Sequence, residues 1–265
     1  MELNNKINFS KSIKKRINMK KEELERQLEN QLERYEHAVD LPYFNEETGE
    51  KMAFVRDGIV EVAEYLKAPI KILWILKEAN SKKENDLGND MRPCLKTLNE
   101  KNNNIDPKWG YTWRPIAYAM YGVFEEMNYI DIPLMNGNAS EVVKHMSRIA
   151  HINVKKYGGG SKSNDKQIQD FYNQYKDFIH EQIEIINPDV LIFGGTFGYF
   201  ADVYFEGKKP LSEKPNGYTN IYEYQDKLLI DTYHPGARVN KQEYCDGVIN
   251  AIKKWNKKMK INLQN

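Results

Sequence analysis

Three polar segments, each following an apolar run, carry the side chains best able to do chemistry in this chain. They are Lys77-Glu78-Ala79-Asn80-Ser81, Asn153-Val154-Lys155-Lys156 and Tyr233-His234-Pro235-Gly236. A fourth apolar run ends in Gly194-Gly195-Thr196. A carboxylate, an amide and an imidazole at separate strand ends can polarise, read and donate to one small ligand if the strands are neighbours. His234 stands apart among the five histidines, because the Pro and Gly after it impose irregular backbone that can turn its ring into a pocket. Taken singly, each has a plainer reading. A His-Pro dipeptide is often structural, and Glu78 or Asn80 would serve as a helix cap.

Other constellations are weaker. The turn at 194–198 follows a strand and opens a helix, but it lacks the G-x-G-x-x-G spacing and reads as a tight strand-to-helix turn. Residues 158–162 lack the Gly-Lys-Ser/Thr order of a phosphate loop; a flexible loop near a phosphate backbone, with Lys155, Lys156 and Lys162, is the expectation. His37 and His180 sit on amphipathic helices and read as surface or packing residues, while His145 and His151 flank a predicted strand. No histidine pair has metal-ligand spacing, and two cysteines, Cys94 and Cys245, cannot form a four-thiolate centre alone. No metal and no cofactor are expected.

The elements that would position these residues alternate along the chain. In residues 20–39, Leu24, Leu28, Leu32, Tyr35 and Val39 recur at helical steps, giving a helix with one apolar stripe. That stripe suits docking on the body, with pairing to a second copy or a partner as the alternative. Residues 1–19 are polar, basic and expected to have little order. Helices are also predicted over 56–66, 115–127, 165–187, 197–205 and 241–255. Strands are predicted over 70–76, 149–154, 190–193, 221–224 and 227–232, and a long surface excursion over 82–110. Strands alternating with helices predict an α/β fold, a three-layer sandwich with a mostly parallel central sheet. In such sheets ligands bind beyond the C-terminal ends of the strands. The expected division is a basic tail and helix over 1–40 and one α/β domain over 41–265.

Composition narrows the class. The chain has 265 residues with 39 Lys plus Arg against 38 Asp plus Glu, a formal charge of +1. The charge is uneven: residues 1–21 hold seven basic groups and one acid, and residues 250–265 hold five lysines and no acid. The body between is acidic. Basic ends around an acidic body can guide a polyanion to a restricted surface, or simply keep the protein dissolved. No apolar run reaches the ~18 residues of a membrane helix, and no leader-like apolar stretch opens the chain, so no membrane role and a cytoplasmic location are expected.

The strand-end segments, in order, resemble the motifs of the uracil-DNA glycosylase superfamily. IKILWILKEANS at 70–81 is similar to its first motif, a hydrophobic strand followed by G-E-x-P-G. IAHINVKK at 149–156 resembles the strand ending in Asn, written T-N-x-x-K in several branches, and NPDVLIFGGT at 187–196 resembles P-x-V-I-x-x-L-G. LLIDTYHPGAR at 228–238 resembles the closing x-T-x-H-P-S motif, and Trp113-Arg114-Pro115 stands where several branches carry G-R-P. The resemblance spans about residues 68–255. It implies a monofunctional DNA glycosylase that flips a pyrimidine out of the stack and hydrolyses its N-glycosidic bond, with DNA as partner.

The same resemblance distributes roles. His234 would donate to the base carbonyl as negative charge develops, and Asn153 would read the pyrimidine edge. Glu78 or Asn80 would orient the water or offset the cationic sugar. Trp113 or Tyr111 would stack on the flipped base, Arg238 would fill the vacated stack, and Lys77, Lys155 and Lys156 would meet DNA phosphates. Three positions depart from the pattern: Lys77 replaces Gly, Asn80 replaces Pro and Gly236 replaces Ser. Together with the long interval between Asn80 and Asn153, they suit a wider pocket. The excised base is therefore uracil or a bulkier modified pyrimidine, such as a hypermodified cytosine of viral DNA, in repair or antiviral defence. The alternatives are an N-glycosidase of free nucleosides or nucleotides, and a glycosylase-like module that only binds DNA or a protein.

Overall fold

The computed structural model describes residues 2–39, 43–44, 49–80, 89–98, 104–105, 107–159, 162–205 and 218–262, with backbone alone at 2–18, 107–109, 205 and 260–262. Its elements run α1 (Glu2–Ala38), β1 (Tyr43–Phe44), β2 (Lys51–Met52), β3 (Gly58–Ile59), α2 (Val62–Lys67) and β4 (Ile72–Leu76). Then follow α3 (Met91–Lys96), α4 (Pro107–Phe124), α5 (Ala139–Val143), β5 (Ala150–Asn153), α6 (Asp165–Ile186) and β6 (Val190–Gly194). The chain closes with β7 (Thr219–Tyr224), β8 (Lys227–Thr232) and α7 (Lys241–Asn262).

Six strands form one sheet in the order β3-β5-β4-β6-β8-β7. The four inner strands pair in parallel, and β3 and β7 close the edges antiparallel. Every residue of β4, β5 and β6 is buried, as expected of strands covered on both faces. Alternation along the strands divides the core in two. Ile72, Trp74, Leu76, Val190 and Ile192 face a layer containing α4 and α7. Leu73, Ile75, Leu191 and Phe193 face a layer containing α6 and α1. The helix–sheet–helix layering and the mostly parallel sheet are thus as the sequence predicts. β7 and β8 form a hairpin across Gln225-Asp226, with Gln225 at φ 52°, the positive φ that a two-residue turn demands.

Local signals explain the best-placed helix. The Asn164 side chain caps α6 by accepting from the Lys166 and Gln167 amides, and Asn187 ends it at φ 45° just before Pro188. Against α6 lies α1. Tyr35 stacks on Phe178 with ring centres 5.0 Å apart, and Gln31 Nε2 donates to the Phe178 carbonyl at 2.7 Å. Leu28, Leu32, Tyr35 and Val39 are all buried there. This corrects the option that the stripe pairs with another chain: its own body covers it.

Three further expectations change. Helix α1 runs back to Glu2, where little order was expected. The helix predicted over 56–66 shrinks to α2, because Gly58 sits at φ 136° and Asp57 turns into the interior, leaving 56–59 extended beside β5. Residues 197–205 form a 3₁₀ turn and a π turn instead of an α-helix. The excursion over 82–110 contains α3 and the start of α4; its parts at 82–88, 99–103 and 106 lie outside the described residues.

Because α1 contributes to the core, Leu32→Ala should lower unfolding free energy by about 2–5 kcal/mol, read from the urea midpoint. An unchanged midpoint would mean that α1 is an arm and no part of the folded body.

Candidate functional site

The parallel order β5-β4-β6-β8 sets the four chemically promising tips side by side. Main-chain pairing continues past the strands. Val154 donates to the Leu76 carbonyl, Lys155 to Lys77 and Gly159 to Ala79, each at 2.9 Å. On the other side the Gly195 amide donates to the Thr232 carbonyl at 2.8 Å, and Thr196 Oγ1 to Ile75 at 2.9 Å. The tips therefore form one stitched edge.

His234 sits where β8 leaves the sheet. The Gly236 amide donates to its Nδ1 at 3.1 Å. Glycines make this possible: a Cβ on Gly236 would come within 3.2 Å of Nδ1, and Gly195, at φ 74°, lies against the His234 backbone. Burial, then the positive charges of Lys77 and Lys241, push the imidazole down to about 4. At neutral pH the ring is uncharged. With Nδ1 accepting, the proton belongs on Nε2, which becomes a neutral N–H donor.

Asn153 ends β5 on the sheet face toward α4, buried, with its main-chain amide donating to Asp57 Oδ2 at 2.7 Å. Two residues back on the same face lies His151, which sequence reasoning set aside. Trp113 of α4 meets its ring edge-on at 4.9 Å; neither ring nitrogen makes a hydrogen bond of full geometry among the described residues, and the Asn153 side chain is the polar group that interacts with the ring. Its strand partner Trp74 likewise has an unpartnered Nε1. Burial pushes His151 down to about 4, with Asp57 pulling the other way. Its sequence signal was the period-two step to Asn153.

Two lysines expected at DNA phosphates are internal. Lys155 Nζ lies 2.6 Å from Glu78 Oε2, and both side chains are only 5% exposed. The backbone of Gly159 closes on that carboxylate so tightly that any Cβ there would collide with it. Lys156 is completely buried, 2.6 Å from Asp57 Oδ1 and 2.8 Å from Gln182 Oε1. An ammonium ion taken out of water needs such partners, so neither lysine has a surface role. Lys77 reaches outward to Asp165 at 2.5 Å and keeps partial exposure.

The remaining candidates divide by exposure. Trp113 is buried under His151 and is a wall, not an open platform. Tyr111, two residues earlier on α4, is 80% exposed and beside Thr112, whose Oγ1 faces Gly236. Asn80 is exposed, its backbone bridged to Gly159, and Arg238 is exposed just beyond the His234 turn. Ser81, Gly160 and Ser161 lie outside the described residues. The structure thus pairs Glu78 with Lys155 and sets Asn153 and His234 at the same end of the parallel sheet, on β5 and just past β8 with β4 and β6 between them, while Tyr111 and Arg238 are exposed.

Among the described residues no group of three or more His, Cys, Asp or Glu is arranged to hold a metal ion. No described helix is long and apolar enough to cross a membrane. No family model matches the chain, and no curated protein matches it either.

The histidines also set a pH dependence. The folded-state value of about 4 for His151 lies below the usual 6.5, so the unfolded chain binds the extra proton between those values. Stability is complete above about 6.5 and declines as pH falls toward about 4, by on the order of 3 kcal/mol from His151. Urea titrations from pH 7.5 to 4.5 should show that decline, and His151→Phe should make it shallower while His234 keeps its own share. Equal slopes in the two proteins would contradict a buried, neutral His151.

Proposed function

We propose that the chain is a monofunctional DNA N-glycosylase working at this strand edge. The observation that carries the reading is His234: a half-buried, neutral imidazole whose Nδ1 is committed to the Gly236 amide, leaving Nε2–H as a donor. A departing base gathers negative charge as its bond to C1′ lengthens, and a preorganised neutral donor stabilises that charge without giving up its proton. Asn153, on the same edge, supplies amide donors and an acceptor to the pyrimidine edge of a flipped nucleotide. The C1′–N bond breaks with its electron pair on the base, water oxygen bonds to C1′, and the water proton passes to Glu78 or to solvent. Glu78 Oε2 is held by Lys155, so Oε1 is the acceptor for that water. Tyr111 offers an exposed aromatic face to a base, and Arg238 and Lys77 offer cations at the rim.

The base is uracil or a larger modified pyrimidine, because Gly236 leaves the His234 turn without the side chain that the motif's Ser would bring. One observation favours a second reading, a module that binds DNA without cleaving: the Glu78 carboxylate is nearly enclosed in its ion pair with Lys155.

Both readings meet in one assay. DNAs bearing uracil, hypoxanthine, xanthine, 5-hydroxymethylcytosine or its glucosylated forms are incubated with the protein, and free base is measured by mass spectrometry. One base should be released, and His234→Ala should slow release by roughly 10²–10³-fold while leaving the fold intact. The rate should show no inflection near 6.5, because His234 stays neutral down to about 4. DNA binding without release of any base would establish the binding module instead.

A further inference from the structure

The Asp57–Lys156 pair takes no part in the steps above, yet it is the most deeply buried pair of charges described. Both side chains are 0% exposed. Asp57 Oδ1 accepts from Lys156 Nζ at 2.6 Å and from Gln182 Nε2 at 3.1 Å. Its other oxygen, Oδ2, accepts the main-chain amide of Asn153 at 2.7 Å. The carboxylate comes from the edge-strand segment, the amide and the ammonium from the tip of β5, and the glutamine from α6.

Such a pair is a poor means of holding a fold together. Removing two ions from water is costly, and apolar residues of the same volume usually fill the space with no loss of stability. What a carboxylate does and an apolar group cannot do is fix direction. Asp57 grips the chain at Asn153 through the backbone and again at Lys156 through the side chain. The four-residue segment between these grips is thereby held at both ends, while Lys155 in the middle points to the opposite face and meets Glu78.

Building on the glycosylase reading, we propose that Asp57 and Lys156 are positioning residues that clamp residues 153–156, aiming the Asn153 amide and the Lys155–Glu78 pair at the substrate. The clamp touches no substrate; it acts through Asn153.

The test compares three variants with the unmutated protein for urea midpoint, KM and kcat of base release. D57L/K156M replaces both charges by apolar groups. It should stay folded with a midpoint lowered by the Asn153 amide and Gln182 Nε2 that lose their acceptor, and raise KM at least tenfold. D57N/K156M keeps a carbonyl acceptor for the Asn153 amide without the charges, and should recover most of the lost KM. N153A serves as the reference for the base-reading role. Unaltered KM and kcat in D57L/K156M, or failure of that variant to fold, would make the pair structural and overturn the proposal. Equal impairment of D57L/K156M and D57N/K156M would overturn it too, since the bond to Asn153 would not be the means. If N153A itself leaves KM unchanged, the base-reading role fails, and the clamp loses its purpose by a result separate from the others.

Discussion

The main-chain ladder joining β5, β4, β6 and β8 in parallel is the constraint from which the site follows. Parallel strands share one C-terminal edge, and strands covered on both faces can expose polar chemistry only where they end. Register then decides which side chains meet. Leu76 pairs with Asn153, and Gly194 with Thr232, so the residues just beyond those pairs come to the edge together. Hydrogen bonds beyond the strands carry the pairing past their ends, from Val154 to Leu76, Lys155 to Lys77 and Gly195 to Thr232.

Electrostatics at this edge is arranged by burial more than by surface charge. Adjacent lysines on one strand end point to opposite faces, each to its own carboxylate, so two cations are neutralised internally just past Asn153 in the chain. His234 is kept neutral by the same means, with Lys77 and Lys241 adding to the effect of burial. A neutral donor, an amide and a lysine-held carboxylate suit a reaction in which charge appears in the transition state, because none must reorganise as that charge develops. The exposed cations that remain at the rim, Arg238 and the partly exposed Lys77, are where a phosphate backbone would be met.

Much of this architecture could be read from sequence where local pattern and burial agree. The apolar runs of β4 and β6, the stripe of α6 and its Asn164 and Pro188 boundaries all declare themselves within a few residues. Asn153 and His234 were also visible, since each follows a strand. What local pattern missed depended on partners far away in the chain. Lys155 and Lys156 look like a basic surface pair until Glu78 and Asp57 are brought to them from 77 and 99 residues away. Asp57-Gly58 looked like the start of a helix because nothing nearby reports that the carboxylate is buried or that Gly58 adopts a positive φ. His151 drew no role from the sequence, because only the fold shows its ring buried on the same face as Asn153 and edge-on to Trp113.

On the proposed reading, one nucleotide is held between Asn153 and His234 at the shared strand edge. The most direct measurement is a crystal structure with DNA carrying a 2′-fluorinated nucleotide of a base the protein releases, or of uracil if none is released, since the fluorine slows loss of the base. An everted nucleotide is expected, with His234 Nε2 within hydrogen-bonding distance of a base oxygen and the Asn153 amide on the pyrimidine edge. DNA seated elsewhere on the protein, or a nucleotide left stacked in the duplex with His234 untouched, would contradict it.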